Sequence, residues 1–179
     1  MKINLENLNL VKDCYGAEWT AKLRNEFKTR GLKGVTVKNG RGGYTDSVTV
    51  TIKMADEDYV SLDEFIRRDA SAIFNQNVYN NNKIWIGDQK VDLNGKTSEE
   101  LDQLKKEFYS LFLESRMADG QYYGDAAPNR NNFPWLTYSG FQKLWAVHKI
   151  TSYAHEVESD SYTDYYDTNY YFTIRYYKA

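Results

Sequence analysis

Ser47-Val48-Thr49-Val50-Thr51-Ile52-Lys53-Met54 alternates without interruption: Val48, Val50, Ile52 and Met54 fall on one side, Ser47, Thr49, Thr51 and Lys53 on the other. A period of two with one apolar side predicts a strand that packs a single face on a core. Just upstream, Val35-Thr36-Val37 is separated from it by the turn-rich Asn39-Gly40-Arg41-Gly42-Gly43, so 35–54 reads as a β-hairpin. Before the hairpin, Trp19, Leu23 and Phe27 recur every four residues and predict a helix over 14–31. Gly31 stands where a helix C-cap needs a left-handed residue, and Leu32 supplies the apolar contact that accompanies such a cap.

The pattern continues downstream. Ser61-Leu62-Asp63-Glu64 has the form of a capping box and opens a helix over about 62–74 with Leu62, Phe65, Ile66 and Ile73 inward. An Asn-rich loop, 75–82, leads to a short hairpin over 83–93 around Gly87-Asp88. Thr97-Ser98-Glu99-Glu100 is a second capping box, before a helix over 98–117 whose apolar face is Leu101, Leu104, Phe108, Leu111 and Phe112. Residues 119–136, with Pro128 and Pro134, read as a loop, and 138–150 as a helix with Phe141, Leu144, Trp145 and His148 on one face. Two final strands are expected at 151–158 and 169–177. The reading is a single α+β domain over 1–179, with an antiparallel sheet made of hairpins 35–54 and 151–177 and packed with three or four helices.

Composition bounds the function classes. The chain has 179 residues, 41% of them apolar and 27% charged, which is enough for a buried core without covalent staples. Mean hydropathy is -0.72, and no apolar run approaches the ~18 residues of a membrane span. The first ten residues lack a basic start followed by an apolar stretch, so no secretory signal is expected. Cys14 is the single cysteine, which excludes a disulfide framework or a Cys-rich zinc site and fits a reducing cytosol. The 16 tyrosines fit either a binding surface or an aromatic-rich sheet.

Charge is segregated. Residues 17–41 carry Lys22, Arg24, Lys28, Arg30, Lys33, Lys38 and Arg41 against Glu18 and Glu26, a net of +5. Residues 156–169 carry Glu156, Glu158, Asp160, Asp164 and Asp167 with no Lys or Arg, a net of -5, interleaved with Tyr162, Tyr165 and Tyr166. The basic stretch is a candidate for phosphate contacts, or a solvated helix face. The acidic-aromatic stretch is a candidate for a basic channel in a partner, or a plain surface loop. Its spacing matches no calcium loop, so no metal is expected.

The chain shows no nucleophile elbow, phosphate loop, dinucleotide fingerprint or zincin motif. His148 lies on an apolar helix face and reads as a core residue; His155 lies beside the acidic stretch, where a carboxylate raises an imidazole pKa. Cys14 precedes the first helix, where a thiol pKa falls, but no partner is legible. The expectation is a protein that is not an enzyme and needs no cofactor.

Residues 17–28, Lys33-Gly34-Val35-Thr36-Val37, Gly42-Gly43 and Ser47–Ile52, with Asp160–Tyr171 near the end, resemble the large polyvalent protein-associated domain numbered 29. That family belongs to proteins of phages, plasmids and conjugative elements. The resemblance implies a family-like core at 14–54 plus 137–177 with an insert at 56–135, and it assigns no catalytic residues. A small cytoplasmic protein of a mobile element in a bacterial host is similar in profile to anti-defence inhibitors. The expected function is therefore an anti-CRISPR that binds a Cas9–guide RNA complex, or a similar nucleoprotein, and blocks target DNA binding. Glu156, Glu158, Asp160, Tyr162, Asp164, Tyr165, Tyr166 and Asp167 would meet the partner. The alternative is an accessory module that grips duplex DNA through Lys22, Arg24, Lys28, Arg30, Lys33, Lys38 and Arg41. Neither reading involves a membrane.

Overall fold

The computed structural model describes residues 3–6, 16–39, 47–79, 81–123, 127–153 and 171–179. In chain order these form α1 (Gly16–Thr29), β1 (Val35–Asn39), β2 (Ser47–Met54), α2 (Leu62–Asp69), α3 (Ala72–Asn77), β3 (Lys83–Ile86), β4 (Gln89–Asp92), α4 (Ser98–Ala118), β5 (Gly120–Tyr123), α5 (Tyr138–Tyr153) and β6 (Tyr171–Lys178). The class is α+β, as the periodicities predict.

The alternation in β2 does what it promised. Val48, Val50, Ile52 and Met54 are all buried, while Thr49, Thr51 and Lys53 are at least partly exposed. β6 repeats the pattern with Phe172, Ile174 and Tyr176 inward. Trp19, Leu23 and Phe27 of α1 join the same core, as do Leu144, Val147 and Ile150 of α5. Each such side chain contributes roughly 1.5–3 kcal/mol of burial. The stretch 56–135 supplies Phe65, Tyr109 and Trp135 to this core, so it is knitted into it.

The sheet departs from the expected antiparallel pairing. Among the described residues its order is β1-β2-β6-β5, and it is mixed. β1 and β2 are antiparallel, but β6 runs parallel to β2 in the register Ser47↔Tyr171 to Met54↔Lys178. β5 completes the sheet antiparallel to β6, from a stretch that reads as loop in the sequence. Of the expected hairpin over 151–177, residues 151–153 continue α5 instead of starting a strand and Tyr171–Lys178 form β6, while 154–170 lie outside the described residues. Thr151 is fully buried, and its hydroxyl donates to the Val147 carbonyl at 2.7 Å, which extends the helical face of Leu144 and Val147 by a turn.

The helix expected over 62–74 is two helices. Ala70 (φ 48°) and Ser71 (φ 69°) are both left-handed and end α2. The Asp69 carboxylate then accepts from the Ile73 amide at 2.7 Å and starts α3 in a new direction. α3 runs on to Asn77, into the expected Asn-rich loop. The hairpin at 83–93 is β3–β4, with Ile84 and Ile86 buried beside α4 and Trp85 on the outer face, 55% exposed.

Tyr59, Tyr109 and Tyr176 are core residues. Burial pushes the Tyr176 phenol up to about 12 and raises those of Tyr59 and Tyr109 well above the ordinary range. An unfolded tyrosine releases its proton near pH ~10, so the native state holds protons that the unfolded chain loses. The stability these phenols contribute is complete below pH ~10 and is lost as pH rises toward the folded values, by up to about 1.4 kcal/mol per pH unit for each. Absorbance at the phenolate band should show these three silent until the protein unfolds in alkali. Full ionisation near pH ~10 with the fold intact would contradict their burial.

Candidate functional site

The basic face is built on α1 and the turn that follows it. Because Trp19, Leu23 and Phe27 bind α1 to the core, Lys22, Arg24 and Lys28 are left exposed on its outer side. α1 ends as the sequence predicts. Gly31 (φ 72°) takes the left-handed conformation, the Leu32 amide donates to the Phe27 carbonyl at 2.9 Å, and Leu32 is buried. This reversal brings Lys33 back beside the helix and places Lys38 on β1, both exposed.

Arg24, Lys28 and Lys33 share a cleft of about 260 Å³ floored by Phe27, Leu32 and Val35. The Arg24 guanidinium is anchored by donating to the Val37 carbonyl at 2.7 Å, which fixes it between helix and strand. Lys22 pairs with Glu18 at 3.0 Å, but both side chains are solvated, so the pair is worth under ~1 kcal/mol and yields readily to a phosphate. Several cations around one shallow cleft are chemically suited to meet an anion, since each phosphate contact would release counterions.

Arg30 does not belong to this surface. Its side chain is only 10% exposed and its Nε meets Glu26 at 2.9 Å. Its Nη1 donates to the Asn4 carbonyl at 2.6 Å and the Glu6 carbonyl at 3.1 Å, pinning residues 3–6 to α1. The basic run in the sequence could not show this, because the partners lie 24 and 26 residues away. Arg30→Ala should therefore cost about 2–4 kcal/mol, since it breaks a largely buried ion pair with Glu26 and both carbonyl contacts that hold residues 3–6. Urea denaturation should detect this as a lowered midpoint, and an unchanged midpoint would contradict the burial of the pair.

Arg41, Cys14, His155 and the whole acidic-aromatic set Glu156, Glu158, Asp160, Tyr162, Asp164, Tyr165, Tyr166 and Asp167 lie outside the described residues. In the chain, that set joins the end of α5 to the start of β6, a strand paired on both sides. His148 is buried between the rings of Tyr122 and Phe172, at 5.6 and 5.7 Å. Its helical spacing gave that core position away. Among the described residues, no group of three or more His, Cys, Asp or Glu is arranged to hold a metal ion.

A second concavity escaped the sequence reading. It lies between the end of α2, the start of α3 and the 3-10 turn Arg130–Asn132, with Arg68 and Arg130 on its walls. These arginines are 62 positions apart in the numbering, and the pairing of Tyr59 with Leu136 together with the Arg68 bond to the Leu136 carbonyl brings their segments together.

No helix among the described residues is long and apolar enough to cross a membrane. No protein-family model, no curated protein and no solved structure matches this chain.

Proposed function

We propose that this chain acts by binding, as an anti-defence inhibitor of a phage or mobile element: an anti-CRISPR that engages a Cas9–guide RNA complex and blocks target DNA binding. The observation that carries the reading is the division of charge. Residues 156–169 hold five carboxylates and three of the tyrosines with no Lys or Arg, while exposed cations gather on α1 and β1. An anionic, aromatic segment complements the basic groove in which such a nuclease reads its short duplex motif. Occupying that groove stops the process before guide–target pairing begins, so one bound molecule disables one enzyme. The resemblance of residues 17–28, 33–37, 42–43, 47–52 and 160–171 to a domain of mobile-element proteins supports the same setting, a bacterial cytoplasm.

The test is charge reversal. Changing Asp160, Asp164 and Asp167 together to Lys turns the segment from five negative charges to a net of +1. DNA cleavage by Cas9 with its guide should be blocked by the wild-type chain and restored with the triple variant, the two proteins melting alike. Full inhibition by the folded variant would remove this mechanism.

A second reading is a nucleic-acid-binding accessory module, favoured by the shared cleft of Arg24, Lys28 and Lys33. It requires that the purified chain shift duplex DNA by itself, with affinity falling steeply in salt. The inhibitor reading requires tight binding to the loaded nuclease and weak binding to free DNA.

A further inference from the structure

We infer that the cavity between α2, α3 and the Arg130–Asn132 turn is a binding site for a nucleoside phosphate, either free or as one residue of a single strand. The inference stands apart from the acidic segment and from the basic face of α1. The cavity measures about 460 Å³, within the range of small-ligand pockets, and Arg68, Asp69, Ala72, Arg130, Asn131 and Phe133 line it.

Its walls are held in place before any ligand arrives. Arg68 donates from Nε to Glu64 at 2.8 Å and from Nη1 to the Leu136 carbonyl at 2.9 Å. Two of the five N–H groups of the guanidinium are used, and the fork is fixed between two distant segments. Arg130 is different. Its guanidinium lies 5.3 Å from the Tyr138 ring, and no carboxylate among the described residues pairs with it. A stacked, exposed, uncompensated guanidinium is a receptor for an anion.

The carboxylate inside decides which anion. Asp69 is 9% exposed and accepts from the Ile73 amide and the Tyr109 hydroxyl. Tyr109 keeps its proton because burial raises its pKa, so it remains the donor in that bond. A carboxylate on the cavity wall repels an acidic peptide that enters with its own carboxylates. It welcomes a ligand with hydroxyl or amino donors at one end and a negative charge at the other. A nucleoside phosphate has that polarity: ribose and base donors toward Asp69 and the Asn131 amide, phosphate toward Arg130. Phe133 offers an apolar wall, and the Arg130 guanidinium held over the exposed Tyr138 ring adds a planar cation, surfaces on which unstacked bases settle.

The experiment measures binding of the four ribonucleoside monophosphates and of a short mixed-sequence RNA single strand to the full chain. Arg130→Gln removes the free charge, and Ala72→Leu, at an exposed position on a different segment, fills the cavity. Each substitution should lower affinity about tenfold with melting unchanged. For the strand, Arg130→Gln should also flatten the log-affinity against log-salt slope by about 0.7, one phosphate contact. Binding of monophosphates identifies a pocket for the free nucleotide; binding of the strand alone identifies a single-strand site. The inference is overturned if neither probe binds, if both folded variants bind as the wild type does, or if an oligoglutamate peptide binds as well as the nucleotides.

Discussion

Gly140→Ala is expected to destabilise the protein by about 3 kcal/mol or more, although alanine is the better helix former by about 1 kcal/mol. Gly140 sits in the first turn of α5, where a Cβ would fall 2.3 Å from the Asp58 carbonyl oxygen and 3.0 Å from the Asp58 Cβ. Neither neighbour is free to retreat. The Asp58 carbonyl accepts from the Thr137 amide at 2.9 Å. The Thr137 hydroxyl donates to the Glu57 carbonyl at 3.0 Å and accepts from the Gly140 amide at 3.2 Å. The start of α5 is thus clamped onto the 3-10 turn Asp56–Asp58, and an added methyl has to break the clamp. Urea denaturation gives the sign directly. A Gly140→Ala variant as stable as the wild type, or more so, would contradict this docking.

Lys143→Met is the second large loss, about 3 kcal/mol. Asp58 is fully buried; its Oδ2 takes the Lys143 ammonium and the Ala55 amide, and its Oδ1 has no partner among the described residues. Removing the cation leaves a buried carboxylate held by one amide, a change that typically costs 3–5 kcal/mol. The lower end applies because the Lys143 side chain is 26% exposed, so water reaches part of the vacated space. Asp58→Asn in the Lys143→Met background should recover more than about 1 kcal/mol, since the amide oxygen still accepts from Ala55 without carrying charge. Strictly additive losses in the two single variants and the double would show that the two groups do not interact.

Local structure was largely written in local sequence. The stripe Trp19, Leu23 and Phe27, the alternation in β2 and both capping boxes are short-range signals that tertiary packing merely uses. Ser61 accepts from the Glu64 amide at 3.3 Å, and Thr97 and Glu100 close a full box, at 3.2 and 2.8 Å. What the sequence hid is non-local. Orientation of β6 against β2 depends on a pairing across more than a hundred intervening residues, and an alternating strand looks the same in either direction. β5 forms because Gly120 lets the ring of Tyr176 lie where a Cβ would be, 2.1 Å away, a fit no window around residue 120 contains. The break at Ala70-Ser71 was concealed because neither residue is a helix breaker; the Asp69–Ile73 bond and the need to bury Phe74 drive it.

The candidate site divides in the same way. The exposed cations of α1 follow from its amphipathic period, and their convergence with Lys33 follows from Gly31. Arg30 was grouped with them because its two carbonyl partners, at Asn4 and Glu6, appear only once residues 3–6 fold back on the helix. The arginine cavity needed two separated segments, 68–72 and 130–134, to meet and left no sequence signal beyond the Arg67-Arg68 doublet.

The proposed role of this chain is to occupy the DNA-reading groove of a guide-loaded nuclease. It is tested most directly by order of addition: the chain is given to immobilised Cas9–guide RNA at equimolar concentration, either before or after the target duplex. When the chain comes first, the duplex should fail to bind. When the duplex is already paired with the guide, it should stay bound and be cleaved. Normal duplex binding and cleavage in both orders, even with the chain in large excess, would contradict the account.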